Sequence, residues 1–293
     1  MGDPGGLPAA GTTGYLDAAS SEPLHPAARE VLLAALDASY ADPLRLHHAG
    51  RDARLLLDNA RAVVAAALGV REDEVTFTGS GTQAVHLGLL GLLEGRTRVA
   101  RRLVHSAVEH SSVIQAGRWW ATRSGGTTVT VGVDHAGRVS PDDVADALAE
   151  PTAVLAVQSA NHEVATNQPL ADIFPVAGHA GVPVFVDFAA SAGRADLPEG
   201  WEVAAASGHK WGGPAGVGVL LVRKGARWRP PLPVDDRADP RASGFENVPA
   251  ALAAAAALQA RLAERDEVNA RQHALVDRIR ERVAATVPDV AVV

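Results

Sequence analysis

From residue 74 to residue 222 the chain alternates short strand-like runs, several of them near-continuously apolar, with stretches of helical pattern. EVTFT (74–78), RRLVHS (101–106), TTVTVGV (127–133), AVLAVQS (153–159), PVFVD (183–187) and VGVLLV (217–222) read as strands. GTQAVHLGLLGLL (81–93), SSVIQAGRWWATR (111–123), SPDDVADALAE (140–150) and LADIFPVAGHAG (170–181) read as helices, the last interrupted at Pro175. Ser140 is expected to cap its helix, with Asp143 at the capping-box position. Strands that are apolar throughout must be covered on both faces, and the helical connections supply the cover. The expected fold class is therefore α/β, a mostly parallel sheet with helices on both faces. Ligands of such sheets bind beyond the carboxyl ends of the strands.

Helices are also expected from Pro26 through AAREVLLAALDAS, over Asp52 to Leu68 with Gly69 as the stop, and over roughly Pro249 to Ala285. PDVAVV at the end reads as the opening of one more strand, and residues 1–14 as a loose arm. With 47% hydrophobic residues, 15–285 can form one large domain. The net charge of −7 is spread over both signs, so no nucleic-acid or membrane-surface partner is expected. The start lacks a signal-peptide pattern, and the apolar stretch Val248 to Leu258 is too short to span a bilayer. A cytoplasmic protein is expected. The 293 residues contain no cysteine, which excludes disulfides, thiolate metal sites and a cysteine nucleophile from this stretch. His47 and His48 are adjacent, point in different directions and lack a third ligand at suitable spacing, so no metal is expected.

Five motifs carry chemistry. In SGHKW (207–211), Lys210 enters a glycine-rich loop; burial disfavours the ammonium form, and a neutral amine is what imine formation requires. Asp187 ends PVFVD, where a carboxylate can face the ring nitrogen of pyridoxal 5'-phosphate (PLP) and keep it protonated. TFTGSGTQAVH (76–86) turns from strand into helix, a place where backbone N–H groups and the Thr82 hydroxyl attract phosphate. His110, in VEHSS, can stack on a ring and shuttle protons. Asn161, His162 and Glu163 follow another buried strand, and the first two can donate to a cofactor oxygen or a substrate carboxylate. Taken singly, each has an ordinary reading as well: a turn lysine, a capping acid, glycine for turn geometry, a satisfied histidine, a polar loop.

Together these motifs resemble the cysteine desulfurases of the class V aminotransferase group, fold type I PLP enzymes. The resemblance runs through YLDAASSEPLHPAAREVL, FTGSGTQ, VEHSSV, NHEVATNQP, VFVDFAAS, SGHKWGGPAGVGVLLVR and SGFENVP, almost the whole chain. It implies the large domain of that fold, with Lys210 carrying the cofactor as a Schiff base. It implies phosphate binding by Ser207, His209, Thr82 and the backbone at Gly81. Asp187 would pair with the ring nitrogen and His110 would stack on the ring as acid and base. His162, with Asn161 before it, stands where the family has an asparagine near the cofactor and substrate carboxylate. Asn247 stands where a threonine reaches the phosphate of the neighbouring subunit, which implies a homodimer. There are departures too. Ala190 replaces a glutamine that bonds the phenolic oxygen, the thiol that accepts sulfur has no counterpart, and 286–293 falls where a small C-terminal domain with a carboxylate-binding arginine would begin. The expected function is the cofactor half of C–S cleavage of L-cysteine, completed by a small cysteine-containing domain or partner, with an unknown sulfur acceptor. A self-sufficient PLP lyase or aminotransferase and a non-catalytic scaffold are the alternatives.

Overall fold

A computed structural model describes residues 14–38, 40–234, 239–242 and 244–292. The expected arm at 1–14 thus lies outside the described residues save for Gly14. Seven strands form one sheet: β1 Val75–Thr78, β2 Arg102–Ser106, β3 Thr127–Val131, β4 Val154–Ala156, β5 Val184–Asp187, β6 Val203–Ser207 and β7 Gly218–Val222. Their order is β1-β7-β6-β5-β4-β2-β3. β2, β3, β4, β5 and β6 pair in parallel, and β7 runs antiparallel to both β6 and β1. β1 therefore points the same way as the parallel strands. Among the described strands only β7 is reversed, and six strands deliver their carboxyl ends to one edge.

The helices are α1 Pro26–Ala38, α2 His48–Leu68, α3 Gly81–Arg96, α4 Ser111–Ser124, α5 Pro141–Leu148, α6 Leu170–His179 and α7 Val248–Thr286. Strand alternation divides the core in two. Phe185, Val203, Ala205 and Leu220 join the buried faces of α3 and α4, while Val184, Val186, Ala204, Ala206, Val219 and Leu221 join those of α1, α2, α5, α6 and α7. This is the two-sided cover expected from apolar strands.

Four local expectations change. β6 was not foreseen: VAAAS lacks the β-branched density of a strand, yet all five residues are buried between neighbours that impose pairing. Pro175 does not interrupt α6. It costs the bond to Ala171 in the first turn, and buried Ile173, Phe174 and Ala177 hold the helix to the core. α2 begins at His48 rather than Asp52, because His47 Nδ1 caps it by accepting from Gly50 N at 3.1 Å. Residues 290–292 form no strand. Other expected features stand: Gly69 ends α2 with φ 65°, and Ser140 caps α5.

The glycines of α3 set how deeply it seats. A Cβ at Gly88 would meet Leu220, Val203 and Phe185 of the sheet at about 3 Å. On its outer side Trp228 Nε1 donates to Leu87 O at 2.9 Å, directly over Gly91. A Cβ there would lie 2.0 Å from that nitrogen. Gly91→Ala should therefore cost about 1–3 kcal/mol by overpacking, read as a lower denaturant midpoint. Gly178→Ala, in α6 with nothing within 4 Å, should leave stability unchanged or raise it by up to about 1 kcal/mol.

Candidate active site

A cleft opens at the carboxyl ends of the strands. At one end β1 passes through Gly79 and Ser80 into α3. Ser80 Oγ accepts from Gln83 N at 3.0 Å, and Ser80 O accepts from Ala84 N at 3.0 Å. Gly81 N and Thr82 N have no acceptor among the described residues. They leave two donors at the positive end of the helix, beside the cleft. Opposite stands Ser207, the last residue of β6. A Cβ at position 81 would fall 2.6 Å from Ser207 Cβ and 2.8 Å from its Oγ, so only glycine lets helix and strand converge here. His209 Nε2 lies 3.4 Å from Ser207 Oγ. Bare N–H groups, hydroxyls and an imidazole around a glycine gap make an anion cradle of phosphate chemistry.

β6 continues into a short 3-10 turn, Gly208–Trp211. Trp211 is fully buried and its Nε1 donates to Ala254 O of α7 at 2.9 Å. That anchor holds Lys210 half-buried at the cleft. Its Nζ donates to Ala19 O at 3.1 Å, from the segment that leads into α1. Burial holds the Lys210 amine below the ordinary lysine range; Asp187 opposes this and Arg194 adds to it. Arg194 donates to Lys210 O at 2.7 Å and to Glu22 at 2.5 Å, and Arg261 of α7 grips the other oxygen of Glu22 at 2.7 Å. The lysine turn is thus braced from both sides.

Asp187 ends β5, only 7% exposed. Its Oδ1 accepts from Ala189 N at 3.0 Å, and among the described residues no side chain donates to it. Burial pushes its carboxyl up, against the pull of His110, Lys210 and His162. A buried carboxylate short of donors is a site for a cation, the role a protonated ring nitrogen fills. His110 caps α4: its Nδ1 accepts from Ser112 N at 3.2 Å and faces Ser112 Oγ at 2.7 Å. An Nδ1 that accepts from the backbone assigns the neutral ring's proton to Nε2. The His162 ring stands 6.4 Å from that of His110, tilted by 50°. Burial, and then Lys210, hold His162 and His209 below the usual histidine range.

Eight expected residues, Gly81, Thr82, His110, His162, Asp187, Ser207, His209 and Lys210, line this one cleft, and Ala190 lies beside them. Two do not. Asn161 orders its own loop, accepting from Glu163 N and Val164 N at 2.8 and 2.9 Å and donating to Val108 O at 3.2 Å. It borders an adjoining cleft with His162, Arg194 and Lys210. Asn247 caps α7 by accepting from Ala250 N at 3.1 Å, and borders a separate cleft behind the turn at Gly79. Sequence reasoning missed Glu109, Gln158 and the Ala19 carbonyl. Glu109 had a signal, an acid inside VEHSS beside His110. A backbone carbonyl 191 positions from its lysine had none. The cradle, the cation-seeking Asp187 and the half-buried amine fit PLP.

A parallel-dominated sheet with helices on both faces, whose strand ends carry lysine, acid and anion cradle, is the fold type I architecture of PLP enzymes. Residues 14–292 match the family described as aminotransferase class-V, and the chain belongs to that family. The chain is 34% identical over 284 residues to an IscS-like cysteine desulfurase of Mycobacterium tuberculosis, covering 94% of this chain and 72% of that one. It is 28% identical to the cysteine desulfurase IscS of Dictyoglomus turgidum, covering 94% and 71%. A solved NifS-like protein superposes with a TM-score of 0.80 at 27% identity, covering 85% of this chain and 70% of the other. The family is PLP-dependent.

Proposed function

We propose that the chain is a PLP-dependent cysteine desulfurase-like enzyme that binds the cofactor at Lys210 and prepares L-cysteine for C–S cleavage. The observation that carries this is the convergence of Lys210, Asp187 and the Gly81–Ser207 cradle on one cleft, within a chain whose relatives bear the desulfurase name. When bound, PLP supplies an electron sink that loosens the bonds at the substrate's α-carbon. The chain's residues do the rest. Gly81 N, Thr82, Ser207 and His209 hold the phosphate, and Asp187 keeps a proton on the ring nitrogen. Lys210 Nζ, its amine favoured neutral by burial, attaches the cofactor and moves the α-proton. His110 offers Nε2–H from the cleft rim as the second proton carrier. His162 faces the substrate side, where Asn161 keeps the loop in place.

The sulfur acceptor is a thiolate from outside these 293 residues, because none of them is cysteine and hydroxyls are poor substitutes. It belongs to a continuation of the chain or to a small cysteine-bearing partner. We further infer a homodimer in which Asn247 faces the neighbouring subunit's phosphate; the exposed Phe245 beside an exposed Asn247 supports this. Among the described residues no helix is long and apolar enough to cross a membrane.

The test mixes the PLP-loaded chain with L-cysteine and follows both the cofactor spectrum and alanine. A spectral change is expected at once, with alanine accumulating only when an external thiol is supplied. Alanine and sulfide formed equally fast without any thiol would instead favour a self-sufficient lyase. A spectral response to other amino acids but not to cysteine would favour an aminotransferase.

A further inference from the structure

The turn that carries His110 is tied down more heavily than a cap requires. Val108 O accepts from two side-chain amides, Gln158 Nε2 at 2.5 Å and Asn161 Nδ2 at 3.2 Å. The next residue, Glu109, is 6% exposed. Its Oε1 accepts from Ser106 Oγ at 2.5 Å, at the end of β2, and from Gln158 N at 2.8 Å, beyond β4. Its Oε2 is buried with no partner. One carboxyl therefore joins two strand ends directly behind the cleft, with Gln158 itself on the cleft wall.

We propose that Glu109 is a positioning residue for the reaction assigned above, its carboxyl fixing the turn that presents His110 to the cleft. The proposal rests on the PLP reading and goes beyond it, since Glu109 touches neither cofactor nor substrate. An ionised carboxylate wants donors on both oxygens, and this one offers a bare Oε2 to an apolar interior. Burial pushes the Glu109 carboxyl up to about 8, and the negative Asp187 nearby adds to the rise. Glu109 is thus held as a neutral acid, which leaves Asp187 as the anion for the ring nitrogen. Two nearby ionised carboxylates would compete for that one cation.

The charged side chain facing Glu109 is Asp187 at the end of β5; Ser106 and Gln158 present neutral groups, and His110 Nδ1 is turned to Ser112. Because folding raises the Glu109 value above 4.5, the folded state holds a proton that the unfolded state releases. Stability is therefore full below about pH 4.5 and declines as pH rises toward about 8.

Glu109→Gln keeps both acceptor contacts and places an amide where Oε2 lies; Glu109→Leu removes them. Both are compared with wild type as PLP-loaded protein, in which the ring nitrogen partners Asp187. The readouts are the thermal midpoint across about pH 5–9 and the rate of the spectral response to L-cysteine. Glu109→Gln should flatten the wild-type decline and keep its rate within about threefold. Glu109→Leu should slow the response by roughly tenfold or more at saturating cysteine, with little change in half-saturation, because the proton carrier is misplaced rather than the substrate. A Leu variant that responds at the wild-type rate, or a Gln variant with the full wild-type decline, overturns the assignment. If the Leu variant does not fold, the Gln slope decides. A wild-type chain that takes up no PLP overturns the cofactor reading and this assignment with it. A loaded chain indifferent to Glu109→Leu overturns this assignment alone.

Discussion

Replacing Lys210 by Ala should remove covalent cofactor attachment and lower cysteine-dependent chemistry by about a thousandfold or more. On the proposed reading the amine is the attachment point and a proton carrier at once, and no second lysine lines the cleft. The fold itself should be little affected. Lys210 is half-buried, and its amine makes one hydrogen bond, to Ala19 O, whose loss costs about 1 kcal/mol. Trp211 and Arg194, which brace the turn, are untouched. The measurement is borohydride reduction followed by peptide mass analysis. In wild type the cofactor should remain on the peptide containing Lys210; in the variant no peptide should carry it. Lys210→Arg keeps the positive charge and still cannot attach, which separates chemistry from electrostatics. A Lys210→Ala protein that retains the wild-type spectrum would place the attachment elsewhere and end the PLP assignment made here.

Asp187→Asn should have the next largest effect, and of opposite sign in the two forms of the protein. In the loaded form, on the proposed reading, the ring nitrogen would lose its anionic partner, so turnover should fall on the order of a hundredfold or more while the phosphate cradle should keep the cofactor bound. In the unloaded form the aspartate is a buried carboxyl with one backbone donor and a value raised by burial. A raised value means that the fold holds a proton the unfolded chain has released, so unloaded wild type loses stability as pH rises above the ordinary aspartate range. The amide removes that loss. Unloaded Asp187→Asn should therefore match or exceed the wild-type melting point at neutral pH, while the loaded variant shows a smaller gain from PLP. Thermal melts with and without PLP read both. Equal gains from PLP would mean that Asp187 does not face the cofactor.

Much of the architecture was legible from the chain because periodicity and punctuation agreed. PVFVD and VGVLLV are apolar beyond what a helix surface allows, and Gly69 and Ser140 marked real helix ends. What escaped depended on contacts between distant residues. VAAAS becomes a strand because its neighbours on both sides are strands. Pro175 stays helical because three neighbours are buried. In the site, residues with a chemical signature were found: a lysine before glycines, an acid at a strand end, a glycine where helix and strand meet. Asn161 and Asn247 have equally polar side chains, yet local backbone groups already engage them, which no motif reveals. Glu109 went unnoticed because its role lies in what surrounds it, two strand ends and a bare oxygen.

The bracing of the lysine turn also fixes when the site can exist during synthesis. Glu22 leaves the ribosome early, yet its two guanidinium partners are residues 194 and 261, and the indole of Trp211 waits for the carbonyl of Ala254. A nascent chain that has just released Lys210 still lacks the helix on which that turn rests. Contacts so distant in sequence form late, because their loop-closure entropy must be met first. On the PLP reading, cofactor capture would thus wait until residues 254 and 261 have been made, and a loaded chain would be one whose segments 239 positions apart have already met.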